Sequence, residues 1–377
     1  MAIGDQDLDF KLRMQAILWR LGYYTRIDVK LASHSNPPRQ ERRRQSSLVE
    51  LTDIDVLGIR YDADYTVSYA VADCTTSGRM KGRLSPVART FWLRGVMDHF
   101  QADRGYEVLS KKLSPYEKRV AANLGITLLD ESSLQALEER YHSGRPSLRI
   151  RLTDQKAYAY LEDNIHRVDS RLAPLLNYRQ YMFWQNQANR NLFNAISIVR
   201  RVHGTLEPSQ KFHRILLLDI VALFSVAFLE ACGILFRTNP DNVLKALRTY
   251  LFGGPLALQT KEILLKDIRT LVESLQSQPS LFPDQEVTRR LSLDPEYLPA
   301  LSDMAQRFVS KPSEARNVPR YLQALILERA LYDGSTLRDI FAEDYSDITF
   351  KFVHDLAHFF QDATGVDLAM FQDLEKD

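Results

Sequence analysis

Cysteine is scarce in this chain, with only Cys74 and Cys232 among 377 residues. Two cysteines form neither a disulfide framework nor a zinc ribbon, so a reducing compartment is expected. Residues 1–22 also lack the basic start, continuous apolar stretch and cleavage site of a secretion signal. These absences predict a cytoplasmic protein.

Several short catalytic and nucleotide-binding motifs are missing as well. The chain contains no G-x-x-x-x-G-K-[ST], G-x-G-x-x-G or G-x-S-x-G sequence, so hydrolysis of ATP or GTP is not suggested. The segment from His354 to His358 places two histidines at i and i+4, with an acid where zincins have glutamate. Because so short a motif often occurs by chance, we interpret it as a histidine pair on a C-terminal helix.

No strong charge of either sign is present, since 49 Lys and Arg face 48 Asp and Glu. The overall charge of +1 therefore predicts no polyanionic partner. Residues 1–150 hold 23 basic and 19 acidic residues, which leaves 26 and 29 for the rest. A mildly basic first half is compatible with nucleic-acid contact there.

Only one long hydrophobic run occurs, from Ile215 to Phe236. Its length is near the roughly 20 residues that span a bilayer. However, it contains Asp219 and Glu230, and charges at membrane depth cost several kcal/mol. The two acids lie eleven residues apart, about three helical turns, so they share one face. We predict a central buried helix, with a membrane span as the alternative.

The order of predicted elements divides the chain near residue 145. Residues 1–142 follow the order α-β-β-β-α-β-α-β-α, which indicates an α/β unit with its own core. The strand predictions are Tyr23 to Leu31, Leu48 to Arg60, Thr66 to Thr75, Tyr106 to Leu109 and Ile126 to Leu129, and the helix predictions are Asp7 to Leu21, Pro86 to Phe100, a helix opening at Ser114-Pro115, and Ser132 to Tyr141. We therefore expect an α/β domain over 1–145.

The rest of the chain, 146–377, is predicted to be an all-helical domain of unknown role. Helical patterns follow one another at about 154–170, 174–203, 211–236, 240–251, 257–277, 297–309, 318–331, 335–343 and 347–362. The aromatic-rich stretch from Tyr178 to Phe193 is interpreted as packing core rather than a base-stacking platform, because aromatic side chains dominate cores.

Two predicted strands carry acidic residues about twenty positions apart, Asp55 and Asp73. If these strands form an antiparallel hairpin in the right register, the two carboxylates lie side by side. Hard divalent cations such as Mg²⁺ prefer carboxylate oxygens, and a bound ion can polarise a phosphate. The alternative is that Asp53 and Asp55 are solvent-facing residues of an alternating strand.

The order of these elements resembles the PD-(D/E)XK nuclease superfamily, over residues 1–142. Asp55, in Asp55-Val56-Leu57-Gly58, falls where that family has its second-strand aspartate, and Asp73-Cys74-Thr75 falls where it has acid–x–lysine. The stretch from Leu113 to Asp130 is similar to its closing helix–strand unit. The resemblance implies a restriction-endonuclease-like fold and Mg²⁺- or Mn²⁺-dependent cleavage of DNA, with a role in restriction or anti-phage defence.

One residue departs from that family pattern, because Thr75 stands where a lysine is expected. Lys81 or Arg79 would have to reach back over the site to supply the positive charge. The resemblance therefore implies catalytic roles for Asp55, Asp73 and Lys81, with Asp55 and Asp73 as metal ligands. The family also often has an acid on its first helix, where Asp7 and Asp9 give no convincing match.

Arginines around these strands are the candidate DNA contacts. Arg42, Arg43 and Arg44 in the loop after the first strand, with Arg79, suit phosphate contacts, although a solvated loop is the simpler interpretation. The alternative function is a catalytically inactive nuclease-fold protein that binds nucleic acid or acts as a scaffold subunit. In either case the helical domain is expected to bind a protein partner.

Overall fold

A computed structural model describes residues 3–34, 48–75, 85–144, 150–276, 292–332 and 334–374. Its first part is a mixed α/β unit in the predicted order of elements. The elements are α1 (Ile3–Arg20), β1 (Tyr24–His34), β2 (Leu48–Tyr61), β3 (Val67–Thr75), α2 (Pro86–Phe100), β4 (Arg104–Leu109), α3 (Pro115–Asn123), β5 (Ile126–Asp130) and α4 (Glu131–Gly144).

The five strands form one mixed sheet in chain order, β1-β2-β3-β4-β5. The first three strands are antiparallel neighbours, and β4 and β5 continue the sheet in parallel. Hairpins join antiparallel strands, whereas parallel neighbours need crossovers, which α2 and α3 supply. Because β4 adds to β3 in parallel, residues near the carboxyl end of β3 lie beside residues of β4.

Helix starts and stops follow their local sequence. Ser114 caps α3 because its side chain accepts a hydrogen bond from the Glu117 N–H, while the Glu117 carboxylate accepts one from the Ser114 N–H. Pro115 stands at the first helical position, as predicted, because its missing N–H is not needed there. Gly125 follows the end of α3 and has φ +73°, a backbone conformation that residues with a Cβ rarely adopt.

The second part of the described chain is helical. The predicted helix over 174–203 is wrong as a single element, because Asn186 and Gln187 have extended backbone. The α-helices are α5 (Gln155–Ile165), α6 (Ala173–Asn177), α7 (Phe183–Gln185), α8 (Ala188–Val202), α9 (Lys211–Thr238), α10 (Val243–Leu251), α11 (Pro255–Gln276), α12 (Leu298–Ser310), α13 (Pro312–Ala315), α14 (Val318–Ala324), α15 (Leu337–Phe341) and α16 (Asp347–Thr364), with π-helices at Tyr178–Met182 and Leu325–Ala330.

Helix α9 is the centre of the helical part. It is long and apolar enough to cross a membrane, but 94% of its most apolar window is buried inside the protein. Asp219 pairs with Arg26 and Arg179, and Glu230 accepts a hydrogen bond from Tyr69. The prediction of a central buried helix is therefore confirmed.

The sheet packs on two sides. One side, with Val56 and Leu129, buries Phe10 and Met14 of α1. The other side joins a core that continues through the helical part. Hydrogen bonds also cross this boundary, from the Tyr61 hydroxyl to the Val226 carbonyl and from the Tyr65 hydroxyl to the Phe308 carbonyl. The predicted division near residue 145 stays a prediction, and the described residues on its two sides share one core.

Candidate functional site

Four carboxylates lie next to one another across four neighbouring strands. In the β2–β3 ladder Val56 faces Ala72, so the next pair outward is Asp55 and Asp73. Asp73 pairs in register with Glu107 of β4. On the other side, Asp28 of β1 lies between the partners of Ile54 and Val56, which places it beside Asp55. The sheet therefore assembles acids that are separated by up to 79 positions in the chain.

Asp55 is held by a lysine and by the backbone of the neighbouring strand. The Lys11 Nζ lies 2.8 Å from Asp55 Oδ1 and 2.5 Å from Asp28 Oδ1. The Cys74 N–H donates to Asp55 Oδ2 at 2.6 Å. Burial raises the pKa of the Asp55 carboxyl to about 6, with Lys11 opposing this shift and Asp73 adding to it. Asp55 is thus oriented, and its carboxyl titrates about one pH unit below neutrality.

Lys11 is charged in this environment. Burial lowers the pKa of its ammonium group, but the carboxylates of Asp55 and Asp28 outweigh that effect and raise the pKa above its usual value. Because α1 packs against the sheet, the lysine reaches the acids from a helix rather than from a strand.

Asp73 is bound by an arginine from a second helix. The Arg89 guanidinium of α2 approaches both carboxylate oxygens, with Nη2 at 2.5 Å from Oδ1 and Nε against Oδ2. Such a bidentate pair fixes both groups in orientation. Asp73 is only 4% exposed, and Arg89 is the oppositely charged partner that a buried carboxylate needs.

Glu107 is the most buried member of the row, with no exposed surface. Thr90 of α2 donates a hydrogen bond to Glu107 Oε2 at 2.7 Å, whereas Oε1 has no partner among the described residues. Burial raises the pKa of the Glu107 carboxyl to about 7, and Asp73 adds to this shift while Thr90 and Arg89 oppose it.

A cavity of about 320 Å³ opens over Asp55 and Asp73. We call it the acidic cavity, and its charged lining consists of Asp7, Lys11, Asp53, Asp55, Asp73 and Arg89. Four aspartates thus face one lysine and one arginine, a formal charge of −2 when all are ionised. Negative charge in excess of local cations attracts a cationic ligand.

The donor atoms in and beside the acidic cavity suit a hard divalent cation. Oxygens of Asp28, Asp53 and Asp55 lie within 4.8 Å of one another, and no other such group of acids, histidines or cysteines occurs in the described ranges. Carboxylate oxygens with room for water are the ligands that Mg²⁺ and Mn²⁺ take. Asp73, predicted as a metal ligand, lies outside this group, and Arg89 binds its carboxylate.

Two of the predicted site residues lie in the acidic cavity, and their catalytic role stays a prediction. Asp55 and Asp73 are brought together as predicted, and Asp7 also lines the acidic cavity. The five predicted cations, Lys81, Arg79, Arg42, Arg43 and Arg44, lie outside the described residues.

Lys11, Arg89, Asp28, Asp53 and Glu107 were not predicted to take part. The available signal for Lys11 was its position one helical turn after Asp7, on the same face of α1. Asp28 could have been noticed as the acid in the strand that pairs with Asp55. Arg89 depends on how α2 packs over β3, and no local pattern indicates it.

Comparisons of this chain with known proteins found no match. No protein-family model matches the chain, and neither a curated protein nor a solved structure matches it. The functional argument therefore rests on the residues of the site.

Proposed function

We propose that the chain is a metal-dependent DNA endonuclease whose first part is a restriction-endonuclease-like domain. The observation that carries this proposal is the excess of carboxylates in the acidic cavity, where Asp55 and Asp73 lie side by side on adjacent strands. The resemblance of residues 1–142 to PD-(D/E)XK nucleases supports the same reaction class. A role in restriction or anti-phage defence in the cytoplasm is part of the proposal.

Asp55, Asp28 and Asp53 are the residues that would hold Mg²⁺ or Mn²⁺, since their oxygens are already grouped. Asp73 would join them once Arg89 moves away from its carboxylate. The chemistry that such an ion supplies when bound is polarisation of a phosphate and activation of a water molecule.

Lys11 would take the role of the lysine that Thr75 replaces. Its ammonium group is held beside Asp55 by two carboxylates, so a positive charge is already in place at the site. Fixed positive charge next to a phosphate stabilises the negative charge that develops during hydrolysis. Lys81 remains a predicted second cation.

Arg89 would exchange partners when DNA binds. A guanidinium binds phosphate with the same bidentate geometry that it uses for a carboxylate. A backbone phosphate entering the acidic cavity therefore competes with Asp73 for Arg89. Arg42, Arg43, Arg44 and Arg79 stay predicted phosphate contacts along the rest of the DNA.

The direct test is cleavage of plasmid, linear and single-stranded DNA in Mg²⁺ or Mn²⁺. We expect the cleavage rates of Asp55→Asn and Asp73→Asn to be at least 100-fold below that of wild type. The rate of Lys11→Met should be reduced by a similar factor, because each substitution removes a charge from the site. Asp98→Asn is the matched control, since Asp98 is an exposed residue of α2 outside the cavity. Equal activity in Asp55→Asn and wild type would refute the assignment.

A second candidate function is supported by a different observation: the two predicted metal ligands are already paired with Lys11 and Arg89. A protein that keeps the fold for binding or scaffolding needs such internal neutralisation. Its partner surface would be on the helical part, where α11 exposes Leu256, Leu264 and Leu271. Retained DNA binding, without cleavage of any DNA form and without Mn²⁺ binding, would favour this function.

A further inference from the structure

A second cavity lies between the edge strand β1 and the helical part. It measures about 310 Å³, at the lower end of the range for small-molecule sites. Its walls come from α1 and β1 on one side and from α5, α9 and both π-helices on the other. We call it the interior cavity, and none of its lining residues lines the acidic cavity.

Backbone irregularities meet at the interior cavity. The π-helix Tyr178–Met182 contributes Arg179 and Gln180, and the π-helix Leu325–Ala330 contributes Ile326 and Leu327. Single π-helical turns occur frequently at functional sites. The strand residue Asp28, at φ +53°, also lines the cavity, and strained backbone of this kind persists where the surroundings require it.

The charged groups of the interior cavity are internally balanced. Its lining holds four acidic and four basic side chains. Arg179 contacts Asp219 and Glu162, each at 2.5 Å, and Arg26 also pairs with Asp219. The cavity thus offers no uncompensated positive charge to a phosphate, and its ligand should be neutral.

One buried polar group in the cavity wall has no partner. Gln15 of α1 is 7% exposed, and its amide forms no hydrogen bond with any described residue. The Gln15 amide lines the cavity, so a group that enters the cavity can form the hydrogen bonds that the protein does not supply. The amide has a donor and an acceptor side by side, which match the adjacent donor and acceptor on the edge of a nucleobase.

The rest of the wall suits a flat ring. Tyr24, Tyr158 and Trp184 line the cavity together with aliphatic side chains. Aromatic walls accept a planar heterocycle by stacking or edge contact. We propose that the interior cavity binds a neutral nucleoside, whose base pairs with the Gln15 amide.

The test is isothermal titration of adenosine, guanosine, cytidine and uridine into metal-free protein. We expect at least one nucleoside to bind, and to bind at least as tightly as its 5′-monophosphate, because no cation is available for the phosphate. In Gln15→Leu, which keeps the size and removes both hydrogen-bonding groups, affinity should fall tenfold or more. Gln135→Leu is the control, since Gln135 is an exposed residue of α4 outside the cavity.

Thermal unfolding keeps the test independent of a folding defect. Gln15→Leu should melt at the same or a higher temperature without ligand, because it removes an unpaired amide, and it should lose the stabilisation that the nucleoside gives to wild type. Equal nucleoside affinity in Gln15→Leu and wild type, tighter binding of the monophosphate, or no binding of any nucleoside would overturn the proposal. Asp55→Asn should bind the nucleoside normally, which separates this site from the proposed nuclease site.

Discussion

Two groups of charged side chains in this molecule differ in their balance of positive and negative charge. The internal ion cluster, formed by Arg26, Glu162, Arg179 and Asp219, matches two cations with two carboxylates. The acidic cavity has twice as many aspartates as cations. A balanced cluster is complete without a ligand, whereas an unbalanced one gains from binding a cation. Charge balance therefore distinguishes a structural cluster from a candidate site more sharply than the number of ion pairs does.

The internal ion cluster joins parts of the chain that are far apart. Arg26 belongs to β1 and Asp219 to α9, so their contact links the sheet to the central helix. Burial raises the pKa of the Asp219 carboxyl, but Arg26 and Arg179 outweigh that effect and hold the pKa below its usual value. Asp219 is therefore ionised at neutral pH, and both arginines depend on it.

The largest expected effect comes from breaking this balance. Asp219→Asn leaves Arg26 and Arg179 buried with half of their counter-charge, and removing one partner of a buried network destabilises by about 3–5 kcal/mol. Asp55→Asn should change the free energy of unfolding by less than about 1 kcal/mol, because it removes charge from a site that already has an excess. Urea denaturation of the three proteins at pH 7 measures both values.

The comparison would fail if the two variants lost equal stability. Equal losses would mean that Asp55 is as much a structural residue as Asp219, and the excess charge of the acidic cavity would then carry no functional meaning.

A second prediction concerns Glu107, the buried acid beside Asp73. Its pKa rises from 4.5 to about 7 on folding. A group with a raised acid pKa contributes stability that is fully present below pH 4.5 and is lost as pH rises through 7. Glu107→Gln has no carboxyl to titrate at this position. The free energy of unfolding of the variant minus that of wild type should therefore increase by about 3 kcal/mol between pH 4 and pH 8, at roughly 1.36 kcal/mol per pKa unit.

Denaturation of wild type and Glu107→Gln across pH 4–8 gives this difference. Glu117→Gln is a suitable control, because the hydrogen bonds to Lys111 and Ser114 lower the pKa of Glu117 instead, to about 2. Its stability difference from wild type should stay constant between pH 5 and 8, where Glu117 is ionised in the folded protein and nearly so when unfolded, and below pH 5 it should shift in the direction opposite to that expected for Glu107→Gln. A constant difference for Glu107→Gln as well would mean that Glu107 has an ordinary pKa.

Metal binding should separate the two charge clusters directly. At a Mn²⁺ concentration 100 times its Kd, wild type should gain about 2.7 kcal/mol in free energy of unfolding. Asp55→Asn should gain much less, whereas Asp219→Asn should show the wild-type increment, because its substitution lies outside the acidic cavity. Calorimetric melting with and without Mn²⁺ gives the three increments. A full increment in Asp55→Asn would place the ion elsewhere.

The same contrast shows what the sequence could predict. Strand alternation and Gly and Pro positions are local, so the order of elements in the first part of the chain followed from them, whereas the pairing of Asp55 with Asp73 was predicted only for one register, which the β2–β3 ladder has. The break at Asn186 and Gln187 did not follow from the local sequence, because the residues on either side keep helical spacing while tertiary packing redirects the chain. Contacts such as Arg89 with Asp73 depend on how a helix lies on the sheet, which no periodicity encodes.

The smallest predicted effect is the pH dependence of Mn²⁺ affinity. Burial raises the pKa of Asp55 to about 6, and a carboxylate must be ionised to bind a metal ion. The ionised fraction of a group with this pKa rises from about one-eleventh at pH 5 to about ten-elevenths at pH 7. Mn²⁺ affinity should therefore increase roughly tenfold over this range, about 1.4 kcal/mol.

Lys11→Met sharpens this pH test, because Lys11 opposes the upward shift of the Asp55 pKa. Without the lysine the pKa of Asp55 should rise further, so the increase in Mn²⁺ affinity should move to higher pH. Titrations of Mn²⁺ into wild type and Lys11→Met at several pH values measure both midpoints. A midpoint near pH 4 in both proteins would show that another carboxylate controls binding and that Asp55 is not the ligand that titrates.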